Sequence, residues 1–206
     1  MHERDKDLTD EGRDVRETFA YFGCAYYMAS CLEVGLTHSL MYGEFLMQVH
    51  DKFVATKGKE FDRNRYEADF DAFMDKHFAK TMGGVIQLAT KLPNFTDELK
   101  QRIEEARNRR NFLAHHYWRE CCVKFDTPSG RKAMREELAA DRDMFTQLDK
   151  DIDESMKSTR AKLNISEEKL KQISERMIQQ MKGTFLSSEA QLSEIRTSKK
   201  PPPNRT

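Results

Sequence analysis

Thr96-Asp97-Glu98-Leu99-Lys100-Gln101-Arg102-Ile103-Glu104-Glu105-Ala106-Arg107-Asn108-Arg109-Arg110-Asn111-Phe112-Leu113-Ala114-His115-His116-Tyr117-Trp118 carries the helical signature of this chain most clearly. Thr96 is suited to cap a helix, and Asp97 and Glu98 fall in the first turn, where the helix dipole favours anions. Leu99, Ile103, Ala106, position 110, Leu113 and Tyr117 then recur at steps of four, three, four, three and four. That is the period of one helix face, and it predicts a helix from 97 to about 125.

The same periodicity extends in both directions. Upstream, Val15, Phe19, Phe22, Tyr26 and Ala29 form a stripe that Met28, Leu32, Leu36 and Leu40 broaden, with an interruption expected near Gly35 or Gly43. Tyr66, Phe70, Phe73 and His77 start a second helix, and Thr81 is placed to cap a third that Pro93 ends. Downstream, Thr127-Pro128-Ser129-Gly130 reads as a turn before the line Leu138, Asp141, Phe145, Leu148 and Ile152. Asn164 and Glu167 resemble a capping box. No period-two strand and no internal repeat interrupts the pattern. The predicted fold is all-α: an antiparallel helical bundle of four to five main helices over residues 11–160, with a solvated leader at 1–10. A short C-terminal helix over 161–182 and a disordered, basic, Pro-rich tail over 183–206 complete it.

Composition agrees. Among 206 residues, 34% are charged and only 5 are proline, which suits long solvated helices better than a sheet. Lys plus Arg equals Asp plus Glu at 35 each, so whole-chain charge gives no support to a polyanion-coating role. No apolar run reaches a membrane span of roughly 18 residues, and the first residues lack a secretory pattern. Cys24, Cys31, Cys121 and Cys122 have no zinc spacing and read as buried free thiols of a reducing compartment, the cytoplasm. Neither a metal nor another cofactor is expected.

Position 110 breaks the core line of the decisive stretch, because it is an arginine. A guanidinium there must be paired, or snorkel, or open onto a cleft. Asn111 and His115 lie four apart on one face. Arg110 and His115 are five apart, about 140° around an ideal helix. They converge through the reach of arginine, through a distortion, or by meeting copies from a second subunit. Arg109 and His116 offer a register shifted by one. Between Leu99 and Arg119 stand Lys100, Arg102, Arg107, Arg109, Arg110 and Arg119 against Glu104 and Glu105, six minus two, a local charge of +4. Tyr117 and Trp118 add aromatic surface able to stack on bases.

Arg110-Asn111-Phe112-Leu113-Ala114-His115 resembles the Arg-polar-x-x-x-His signature of HEPN domains, and its extension to Tyr117 resembles the toxins of HEPN and nucleotidyltransferase pairs. The resemblance covers roughly residues 12–160. It implies a metal-independent ribonuclease, a toxin or defence effector, acting as a homodimer with its active site at the interface. His115 would then move protons at the ribose 2′-hydroxyl and the leaving oxygen. Arg110 would bind the scissile phosphate, and Asn111 would orient these groups. Arg107, Arg109, His116 and Trp118 would contact the RNA. Tyr117 would match the tyrosine modified by a nucleotidyltransferase antitoxin. The same family contains members that bind or scaffold without nuclease activity.

Other polar positions have simpler readings. Glu33, in the first apolar helix, is either a partner of Arg110 or an exposed edge residue; Asp141 poses the same choice. His77 reads as a core histidine with a satisfied ring. No phosphate-cradling glycine loop and no dense acidic cluster is present, which argues against a P-loop enzyme or a two-metal nuclease.

Overall fold

A computed structural model describes the backbone of residues 9–198 and the side chains of residues 9–182. The chain is all-α, 85% helical and without strands among the described residues. It divides into two units, residues 1–163 and 164–206.

The first unit is the bundle. α1 spans Asp10–Leu40. A π-helical segment, Met41–Leu46, joins it to α2, Met47–Thr56. α3 (Arg63–Phe78) and α4 (Met82–Ala89) lead to α5, Asp97–His115. Two single turns, α6 (Tyr117–Glu120) and α7 (Cys122–Phe125), connect it to α8, Pro128–Ser155, and α9 is Lys157–Lys162. The predicted caps at Thr81 and Thr96 are made: their hydroxyls accept from the N–H of Gly84 and of Leu99.

α1 and α8 run side by side in the same direction. Near their starts, Asp14 accepts from Arg131 and Arg135; near their ends, Asp149 rests on Gly35. The contact at Gly35 is so close that an added Cβ would lie 2.4 Å from Asp149 Oδ1. α5 runs antiparallel to α8, with Arg109 on Asp141 and Arg102 on Asp151. The core line of α8 is as read: Leu138, Asp141, Phe145, Leu148 and Ile152 are all buried. On α1 the buried line is Ala25, Ala29, Leu32, Leu36 and Leu40, whereas Phe19 is half exposed. The larger residues of the expected stripe lie at its margin. His77 is buried, and its Nδ1 lies 2.7 Å from the carbonyl of Phe73.

The interruption expected near Gly35 or Gly43 falls at the second: α1 continues through Gly35 and gives way to the π-helical turn around Gly43. There an added Cβ would lie 2.5 Å from Leu92 Cδ2. Thr127-Pro128-Ser129-Gly130 starts α8 rather than forming a separate turn. Thr127 caps it and Pro128, whose missing N–H costs nothing in the first turn, begins it. Cys24 and Cys122 are exposed, not buried.

The second unit is described by itself. Its helix, α10, spans Glu167–Ser198, so it starts later than the expected 161–182 and runs past 183. Ser166, not Asn164, caps it: Ser166 Oγ accepts from Lys169 N, while Asn164 adopts a left-handed φ of 56°. Residues 199–206 of the expected tail lie outside the described residues. Among the described residues, no helix is long and apolar enough to cross a membrane.

Candidate functional site

The decisive helix ends earlier than its periodicity predicts. α5 stops at His115, and His116 leaves the helical region at φ −127°. A second departure occurs at Cys121, φ −98° and ψ 6°. His115 and His116 therefore stand exposed at the end of α5, while Tyr117 just beyond is enclosed, 0% exposed. Phe22, Phe112 and Trp118 pack around the Tyr117 ring at centroid distances of 5.6, 5.9 and 5.7 Å.

The two adjacent arginines turn to opposite helices. Arg109 reaches α8, where Nε and Nη2 donate to the two carboxylate oxygens of Asp141, both at 2.7 Å, and Nη2 also donates to Glu137 at 2.5 Å. The carboxylates hold the guanidinium firmly protonated against the opposing pull of desolvation. Arg110 reaches α1. Its Nη2 lies 3.6 Å from Glu33 Oε2, its Nη1 lies 3.5 Å from Asn111 Oδ1, and its guanidinium carbon lies 5.9 Å from the centre of the Tyr26 ring. Arg110 Nε is buried without a hydrogen-bond partner. Glu33 and Asp141 are thus both partners of arginines. The edge-exposed alternative for Glu33 does not hold, since its side chain is 26% exposed.

The histidines also separate. His116 Nδ1 lies 2.7 Å from Arg119 Nη2. Among the described residues the ring of His115 has no hydrogen bond; it faces that of His116 edge-on at 6.3 Å. No hydrogen bond joins Arg110 to His115. The structure places Arg110 with Asn111 but leaves His115 apart, in keeping with their offset around the helix.

Three expected assignments change. The +4 patch meets acids outside that count: the fold pairs Arg102 with Asp151, Arg109 with Glu137 and Asp141, and Arg110 with Glu33, while Lys100 pairs locally with Asp97 and Arg119 with Glu120; Arg107 pairs with Glu104, already counted. Arg107 and Arg109 are half-buried, and each already has an acidic partner. Trp118 spends its faces on Phe19, Phe22 and Phe125, at 4.8, 5.0 and 5.5 Å, instead of standing free to stack on a base. Tyr117 is closed to a modifying enzyme in this fold. Its buried hydroxyl has no hydrogen-bond partner, and burial pushes the phenol far above its ordinary range.

Glu33 was legible only as one of two alternatives. Its partner lies on a helix far along the chain, and neither local periodicity nor motif spacing reports such a distance. Among the described residues, no cluster of three or more His, Cys, Asp or Glu could hold a metal ion. Compared with protein-family models, with curated proteins and with solved structures, the chain matches none of them.

Proposed function

We propose that this protein is a metal-independent ribonuclease of the HEPN type, acting as a homodimer, with Arg110 and His115 as its catalytic pair. The observation that carries the reading is the contrast in commitment within the motif. Arg109 and His116 are engaged at 2.5–2.7 Å, whereas Arg110 has only contacts of 3.5 Å and longer and His115 is unbonded and exposed. That contrast favours the Arg110–His115 register over the one shifted by one residue.

In this reading a guanidinium of Arg110 binds the scissile phosphate and stabilises the charge that builds on it. One His115 takes the proton of the ribose 2′-hydroxyl as its oxygen attacks phosphorus. The second subunit's copy of this histidine gives a proton to the departing 5′-oxygen. The products are a 2′,3′-cyclic phosphate and a 5′-hydroxyl. Asn111 steadies the guanidinium beside it. A role as toxin or defence effector and control by a nucleotidyltransferase belong to the same proposal, but without Tyr117 as the modified group.

The test is incubation of purified protein with total RNA in EDTA. Wild type is expected to cut, and His115→Ala to lose at least about 100-fold of the rate, the usual share of a general acid–base. Equal cutting by both proteins would defeat the proposal. A second reading, a helical module that binds a partner without chemistry, is favoured by the acidic neighbour found beside every basic side chain from Lys100 to Arg119. It predicts that partner binding survives His115→Ala unchanged and that no RNA is cut.

A further inference from the structure

Glu33 stands seven residues after Tyr26 on α1, so the two side chains share one face of that helix. Both meet Arg110 across the seam between α1 and α5. Arg110 itself sits on the core line of α5, between buried Ala106 and buried Leu113. Its Nε is enclosed and unbonded, and its side chain is 24% exposed. A guanidinium so placed has little solvent to orient it. Glu33 is the one carboxylate paired with it among the described residues.

The separation matters as much as the pairing. At 3.6 Å the Glu33 carboxylate attracts the guanidinium without a close hydrogen bond, whereas the acids on Arg109 take up its N–H groups at 2.5–2.7 Å. Charge at that range sets the direction of Arg110 and leaves donors for an incoming phosphate. The Tyr26 ring limits its movement on the side of α1.

We infer that Glu33 is a positioning residue for Arg110: it touches no substrate atom but holds the guanidinium in the orientation that receives the scissile phosphate. This assignment rests on the ribonuclease reading of Arg110 and His115. Its consequence is a loss in the chemical step rather than in RNA capture, because a misdirected arginine costs most when charge develops on the phosphate.

The experiment compares full-length wild type, Glu33→Gln and Glu33→Asp on a fluorescent RNA in EDTA, with kcat and KM resolved and the thermal midpoint of each protein recorded. Glu33→Gln keeps the size of the side chain and removes its charge. It is expected to lower kcat about 10- to 100-fold, the order found when a reacting group is misplaced by about 1 Å, with KM within about threefold. Glu33→Asp keeps the charge and withdraws it by one methylene, so its kcat is expected between those of Glu33→Gln and wild type. If Glu33→Gln does not fold, Glu33→Asp, assayed below its midpoint, still decides the matter. Wild-type kcat per folded molecule in every folded Glu33 variant, with only the midpoint lowered, overturns the assignment and makes the pair merely structural. Wild type cutting RNA with Glu33 variants unaffected sinks the positioning role alone. Wild type failing to cut RNA sinks the ribonuclease reading, and the positioning role with it.

Discussion

Arg109 and Arg110 are neighbours in the chain and opposites in circumstance. Arg109 is closed into a network with Asp141 and Glu137 on α8, every contact at 2.7 Å or less. Arg110 faces Glu33 on α1 at 3.6 Å, with an enclosed Nε that nothing satisfies. The closed side welds α5 to α8 and commits the Nε and Nη2 donors of Arg109 to carboxylates. The open side is poorer as structure and retains free donors. Two arginines in succession thus divide between a closed hydrogen-bonded network and a long, loosely held ion pair, and the division is set by which helix each one meets.

Four substitutions break or sharpen that comparison. Arg110→Ala is expected to cost about 100- to 1,000-fold in kcat/KM for RNA, the usual loss for one preorganised charge donor. It should move the stability by only about 1 kcal/mol, because its ion pair is long and carries no close hydrogen bond. Arg109→Ala should behave in reverse. Removing it leaves Asp141 without its bidentate partner in a buried setting, which costs about 3 kcal/mol in a urea titration. Activity per folded molecule should stay near that of wild type. A large activity loss with intact stability in Arg109→Ala would show that the register of the site is shifted by one.

Asp149 offers the same lesson on carboxylates. Asp141 has an arginine, whereas Asp149, two turns along α8, has no ion pair among the described residues. Desolvation raises its pKa from the ordinary 3.8, and the neighbouring charge of Asp153 adds to the effect. A raised acid is at its most favourable when protonated, so its contribution is full below 3.8 and is lost as the pH rises through the folded value. Asp149→Asn should therefore raise the thermal midpoint at pH 7 and leave it unchanged at pH 3. A gain of equal size at both pH values would assign the effect to shape rather than charge. Tyr117→Phe is the smallest change. The buried hydroxyl has no partner, so deleting it should leave stability within about 0.5 kcal/mol of wild type or slightly above. A loss well beyond that would reveal a bond that the hydroxyl makes in solution.

The fold was largely legible because burial along a helix repeats locally. Ile103, Ala106, Leu113 and Tyr117 fall on the predicted line and are buried, and so do the core residues of α8. Thr96 announces the start of α5 by its own chemistry. The end of α5 was not legible, because neither Gly nor Pro marks it. The break at His116 coincides with the burial of Tyr117 and the gathering of Phe22, Phe112 and Trp118 around it, contacts made across the fold. The site divides in the same way. That Arg110 is out of place on a core line could be read from spacing alone. The pairing of Arg102, Arg109 and Arg110 with acids could not, since Asp151, Asp141 and Glu33 lie on other helices. A local charge count therefore overstated the positive field that the folded surface presents.

Trp118 is the only tryptophan of the chain, and it sits against Phe19 of α1 three residues beyond His115. Excited at wavelengths that the 6 tyrosines barely absorb, the protein consequently emits from one indole, wedged where the end of α5 meets α1. Any event that shifts this junction, such as the first loosening during unfolding, is reported by light from that single site, with no label introduced.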